Sequence, residues 1–123
     1  MGVIGVRAVR GAITVEENSA ESILEATRVL LEMLVQENDI AVDDLISAIF
    51  SVTRDLNAAF PATAAREMGW SQVPLLCCNE VEVPGALPRC IRVLLHFYSA
   101  KGNQELKPIY LKEAARLRED IEA

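Results

Sequence analysis

Residues 77–99 read CCNEVEVPGALPRCIRVLLHFYS, and this stretch decides the fold. An extended segment carrying Cys77 and Glu80 enters a turn rich in proline and glycine, and residues 90–99 then have the composition of a β-strand. Alternate side chains of a strand point to opposite faces of its sheet. One face of this strand carries Ile91, Val93, Leu95 and Phe97; the other carries Cys90, Arg92, Leu94, His96 and Tyr98. Both faces are largely apolar, so both need cover.

Working outward, we predict further strands at residues 3–10, 45–52, 73–78 and 109–111. A long helix is expected from a cap at Asn18 or Ser19 to about residue 37, because apolar side chains recur there with helical spacing. A short helix starts after Phe60-Pro61 and runs to residue 68. The predicted fold is α+β (α/β-like): a single domain, residues 1–123, with an approximately five-stranded mixed sheet covered by one long and one short helix.

One long helix covers only one face of such a sheet. The other face is too apolar for water, and the chain offers no second long helix to cover it. We therefore expect an oligomer whose sheets face inward, with Arg92 close to a subunit interface.

Composition excludes several classes of function. The net charge of −6 argues against nucleic acid and anionic membrane as partners. No run of about 18 apolar residues is present that would span a membrane. Three cysteines, two of them adjacent, do not make a disulfide framework, so we expect a reduced, cytoplasmic protein.

The residues also limit the chemistry. His96 is the single histidine, and nothing in the sequence suggests a metal site or a nucleophile paired with a base. There is no dinucleotide or phosphate-loop fingerprint, and no cofactor is expected. The nine arginines outnumber the three lysines, and a guanidinium matches a carboxylate as a flat fork of donors. Arg92, Glu80 and Cys77 are thus expected to form a polar pocket for an anion bearing a hydroxyl group.

Several motifs, taken together and in this order, resemble the bacterial monofunctional chorismate mutases of the trimeric α/β pseudo-barrel class. They are RGAITVE (10–16), DLNAAFPA (55–62) with Arg66, VPLLCCNE (73–80), CIRV (90–93), Tyr110-Leu111 and Leu117-Arg118. The resemblance implies a homotrimer with active sites between subunits, a chorismate dianion as substrate, and its rearrangement to prephenate without a cofactor or metal.

The resemblance also implies the site residues. Arg92 corresponds to the family's key cation, and Glu80 and Cys77 to the groups that hold the ring hydroxyl. Arg10 and Tyr110 correspond to the residues that bind the side-chain carboxylate. The backbone from Leu76 through Cys78 and Asn79 to Glu80 lines the pocket. The wall that the neighbouring subunit contributes to the site corresponds to Phe60, Ala62, Thr63 and Arg66. The C-terminal segment that covers the site corresponds to Leu117 and Arg118.

Some positions depart from the family pattern. Thr63 stands where lysine is common, and Leu76 where threonine is common. Two other functions remain open from the sequence. One is a trimeric enamine/imine deaminase, with Glu80 activating water. The other is a non-enzymatic regulatory trimer that binds a small carboxylate.

Overall fold

The computed structural model describes residues 3–117 and contains one mixed sheet with helices on one side. Its strands are β1 (Gly5–Thr14), β2 (Leu45–Val52), β3 (Leu75–Asn79), β4 (Cys90–Ser99) and β5 (Ile109–Leu111), and its helices are α1 (Ala20–Glu37) and α2 (Pro61–Glu67). The strand order is β3-β2-β4-β1-β5. The central strand β4 is antiparallel to β1 and β2, whereas the edge strands β3 and β5 run parallel to their neighbours.

The long helix forms where the sequence pattern predicted it. Ser19 caps α1, with its hydroxyl accepting from the Ser22 amide at 3.1 Å. The apolar stripe of α1, including Ile23, Leu30 and Leu34, packs against the sheet. From β4, the side chains on this covered face are Ile91, Val93, Leu95 and Phe97, all buried. The helix face of the sheet is therefore the core of the subunit.

The opposite face of the sheet, called here the open face, is covered only in part, by the segment that follows β5 and buries Ala12 and Cys90. It carries the alternate residues of β4, of which Leu94 and His96 are half-buried and Tyr98 is 50% exposed. Val6 on β1, the Cα partner of Tyr98, is 58% exposed on the same face. The predicted division of β4 into a packed face and an incompletely covered face is thus confirmed.

Two strands, β1 and β3, differ from prediction at both ends. The first strand was predicted at residues 3–10 but spans Gly5–Thr14, because its last four residues pair with β4 from Val93 back to Cys90. Long-range pairing here overrides the low strand propensity of Gly11. The strand predicted at 73–78 begins at Leu75, since Pro74 has no amide hydrogen to donate to the sheet. Within residues 3–117, no helix has the length and apolar character needed to cross a membrane.

Candidate active site

Arg92 and Glu80 meet on the open face at the centre of the sheet. Arg92 is the third residue of β4, with Ser51 of β2 and Ala12 of β1 as its Cα partners. Glu80 follows β3 directly, and its amide donates to the Val52 carbonyl at 2.9 Å, which places it beside the end of β2. Arg92 Nε then lies 3.2 Å from Glu80 Oε1. The predicted pairing of a strand-borne guanidinium with a carboxylate is present in the subunit.

The ion pair is not an aligned hydrogen bond. The N–O distance fits a salt bridge, yet the buried Arg92 Nε–H has no hydrogen-bond acceptor within the described residues. Both observations are explained if the opposite charges attract the two groups while the Nε–H bond does not point at the oxygen. The Glu80 oxygen is instead hydrogen-bonded by the Ser51 hydroxyl. The side chain of Arg92 remains 42% exposed, so much of its guanidinium is open to a ligand.

A cleft of about 220 Å³ opens in front of Arg92. Arg10 from β1 and Tyr110 from β5 line it, together with Ser51 from β2. Tyr110 pairs with Ala12 and Arg10 lies two residues earlier on β1, so strand alternation directs both to the open face. Two guanidinium groups and a phenol hydroxyl thus converge from three strands, an arrangement that suits a ligand with more than one carboxylate.

A second cleft of about 380 Å³ lies at the other side of β3, between that strand and the start of α2. Phe60, the residue before α2, lines it and is 70% exposed. Cys77, Cys78 and Asn79 form the opposite wall. Glu80 lines a third cleft, with Thr53 to Asp55 and the turn after β3, so within one subunit the residues predicted for the site divide among three clefts.

The structure does not bring the Cys77 thiol to Arg92. Cys77 pairs with Phe50, whose side chain is buried, and paired residues of adjacent strands project to the same face. Cys77 accordingly packs against the core under the helices. Leu76 and Cys78, the neighbours of Cys77, lie on the open face and are exposed.

The residues predicted for the wall and for the covering segment differ in burial. Ala62 is buried in the core, Thr63 is half-buried, and Arg66 is exposed on α2. Leu117 packs beside Tyr110 against a small buried cluster of Ala12, Cys90 and Ala114. Arg118 lies outside the described residues. The chain after β5 thus returns over the open face next to the cleft.

Six residues of the cleft were not among the predicted site residues. Gly11, Ala12 and Val93 belong to motifs noted in the sequence, whereas Ile49, Ser51 and Leu94 do not. The sequence signal for Ser51 is weak, because Ser51 and Ser47 are both polar residues of an otherwise apolar strand. The single histidine lies apart from these residues, with its Nδ1 3.3 Å from the Ser47 hydroxyl. No cluster of three or more histidine, cysteine or acidic side chains suited to a metal ion occurs in the part of the chain that the structure describes.

Comparison with known protein families identifies the family of this chain. Residues 6–121 match the family described as chorismate mutase type I. The chain belongs to the chorismate mutase type I family. It is an enzyme, a chorismate mutase, and thus an isomerase of aromatic amino acid biosynthesis.

Individual relatives agree with this assignment. The chain is 50% identical over 119 residues to chorismate mutase AroH from Thermus thermophilus, covering 96% of this chain and 98% of that protein. It is 39% identical over 117 residues to chorismate mutase AroH from Bacillus subtilis, covering 94% and 92%. A solved chorismate mutase from Clostridium thermocellum superposes with a TM-score of 0.88 at 47% identity, covering 89% of this chain and 98% of that one.

Proposed function

We propose that chorismate binds as a dianion in the cleft before Arg92 and rearranges there to prephenate. The observation that carries this proposal is Arg92, which lines a cleft together with Arg10 and Tyr110 and lies 3.2 Å from Glu80, a residue that lines the adjoining surface. These groups provide two positive charges for two carboxylates and one carboxylate for a ring hydroxyl.

Catalysis of this rearrangement places two requirements on the active site. The enolpyruvyl arm must be held over the ring, and negative charge must be stabilised on the ether oxygen as the C–O bond breaks and the C–C bond forms. No proton is transferred, so no base is required. Arg92 donates to the ether oxygen and one carboxylate, and Arg10 with Tyr110 binds the side-chain carboxylate. Glu80 accepts a hydrogen bond from the ring hydroxyl.

The contribution of the strand β3 is proposed to come from its backbone. The segment from Leu76 to Glu80 lies along the edge of the sheet, where main-chain groups remain available to a ligand. Because the Cys77 side chain packs against the core, Cys77 contributes main-chain atoms to the pocket, and its thiol supports β3 from the helix side of the sheet. Leu117, which packs beside Tyr110, belongs to the covering segment that the family resemblance extends to Arg118.

We further propose a homotrimer in which each active site lies between two subunits. The support is the open face, where Val6, Leu76 and Tyr98 are each at least half exposed. A second support is the division of the expected site residues among separate clefts of one subunit. Phe60 and Arg66, with Ala62 and Thr63 behind them, would complete the Arg92 cleft of the adjacent subunit.

A cytoplasmic location and a single domain across residues 1–123 complete the proposal. The three cysteines are free thiols, which fits a reducing compartment. The sheet and its helices share one principal hydrophobic core, which fits one folding unit.

A chorismate assay on purified protein tests the proposed role of Arg92. We expect Arg92→Ala to lower kcat by about 10²–10³-fold, the usual loss for a donor that stabilises developing negative charge. Arg28→Ala is the matched control, because Arg28 lies on α1, pairs with Glu25 and Glu32, and does not line the Arg92 cleft. Size-exclusion chromatography must show the same assembly for all three proteins. Near-normal turnover by Arg92→Ala would reject the assigned role.

A further inference from the structure

Ser51 stands out because it is the only residue that hydrogen-bonds Glu80's side chain within residues 3–117. It is half-buried on β2, directly opposite Arg92 on β4. Its hydroxyl donates to Glu80 Oε1, the same oxygen that lies 3.2 Å from Arg92 Nε. One carboxylate oxygen thus joins three strands: β2 through Ser51, β4 through Arg92, and the end of β3 through Glu80.

This arrangement leaves the two oxygens of Glu80 unequal. Oε1 is engaged by Ser51 and faces Arg92, whereas Oε2 has no hydrogen-bond donor in the described part of the chain. A carboxylate held by one oxygen cannot rotate freely, so its other oxygen keeps one direction. Charge attraction draws the Arg92 guanidinium toward Oε1, and since its Nε–H has no acceptor within the described residues, the position of Oε1 sets where the guanidinium rests.

We propose that Ser51 is a positioning residue for chorismate rearrangement: its hydroxyl fixes Glu80, and Glu80 in turn fixes the guanidinium of Arg92. This inference rests on the proposed roles of Arg92 and Glu80. Ser51 acts through these two side chains and does not itself contact the reacting atoms. Loss of the hydroxyl therefore lowers the fraction of enzyme in which Arg92 meets the charge on the ether oxygen.

The first test is Ser51→Ala. We expect kcat to fall about tenfold, the scale of one hydrogen bond to a charged group, while KM changes less than about threefold. Ser51→Thr keeps the hydroxyl and should recover most of the lost kcat. Ser47→Ala is the control, because Ser47 lies on the same strand and contacts His96 instead. It should retain wild-type kcat.

A double-mutant cycle separates positioning from general structural damage. In a Glu80→Ala background the carboxylate that accepts from the Ser51 hydroxyl is already absent. Adding Ser51→Ala should therefore change kcat by less than about twofold. An equal tenfold loss in both backgrounds would overturn the inference, as would an unchanged kcat in Ser51→Ala alone. Should Ser51→Ala fail to fold, Ser51→Cys, which retains the volume but donates weakly, takes its place with the same expected outcomes.

The two proposals fail in different ways. If Arg92→Ala and Glu80→Ala leave turnover unchanged, the proposed site is wrong. If those variants lose activity but Ser51→Ala does not, only the positioning role of Ser51 is wrong.

Discussion

Cys90 lies two residues before Arg92 on the same face of β4, yet the two side chains have opposite surroundings. Arg92 opens to the cleft, whereas Cys90 is fully buried in the cluster with Ala12 and Ala114. Burial raises the pKa of the Cys90 thiol, and the nearby Arg92 guanidinium opposes part of that effect. The thiol is therefore a small apolar side chain in the folded protein and is not poised as a nucleophile.

The raised pKa of Cys90 predicts that its contribution to the free energy of unfolding decreases at alkaline pH. The folded pKa exceeds the unfolded one, so the folded state keeps its proton where the unfolded state loses it. The contribution to stability is complete below the unfolded pKa, near about 8.5, and is lost as pH rises toward the folded value. Urea unfolding from pH 7 to 10, at fixed protein concentration, should show the advantage of wild type over Cys90→Ala shrinking above that point.

Val93→Ala is the control for this pH series. Val93 is buried on the other face of β4 and has no ionisable group, so its stability deficit should stay constant with pH. A Cys90→Ala deficit that is also constant through pH 10 would contradict the assigned cause.

The end of α1 is tied to the strand that carries Tyr110 by one buried amide. Asn38 is 1% exposed, and its Nδ2 donates to the carbonyls of Leu34 and Lys107 at 2.9 and 3.0 Å. Its Oδ1 accepts from the Lys107 amide at 2.7 Å. Lys107 comes two residues before β5, so this junction sets where β5 starts and where Tyr110 lies in the cleft.

Asn38→Ala should lower the free energy of unfolding by about 2–4 kcal/mol, because it removes three side-chain hydrogen bonds, two of them to the main chain of Lys107. We also expect KM for chorismate to rise, since Tyr110 loses part of its support. Urea denaturation and steady-state kinetics measure the two effects. Asn103→Ala, at an exposed position, should change stability by less than about 0.5 kcal/mol. A neutral Asn38→Ala would show that the junction carries little of the stability.

These elements show which structural features the sequence predicts well. Strands β2, β4 and β5 have the predicted bounds, because their composition and flanking turns act locally. The end of β1 was missed at Gly11, where pairing with a strand some 80 residues away determines the structure. The face of the Cys77 thiol depends on register with β2, which the sequence alone does not determine.

The same distinction applies to the site. Arg92 and Glu80 were predicted as partners, since a short turn separates their segments and family motifs contain both. Ser51 was missed because its closeness to Glu80 comes from the parallel pairing of β2 with β3. Tertiary register, more than residue type, decides which polar side chains hold Arg92 and Glu80 in place.

The proposed trimer makes a prediction about shared sites that no single-chain arrangement reproduces. If each site takes Arg92 from one subunit and Arg66 from the next, Arg92→Ala and Arg66→Glu impair different sides of the same interface. A trimer that contains both kinds of subunit then has some sites in which neither change is present. Activity should reappear on mixing two poorly active proteins.

We expect co-refolding of equal amounts of Arg92→Ala and Arg66→Glu to restore about one quarter of wild-type activity, because each side of a site is intact about half the time. The matched control mixes Arg92→Ala with Arg10→Ala. Both of these residues line the cleft of one subunit, so every site keeps a defect and no recovery is expected. Light scattering should give about three times the 13.5 kDa chain mass for each sample. Absence of recovery in the first mixture, with trimers present, would place Arg66 outside the active site of the neighbouring subunit.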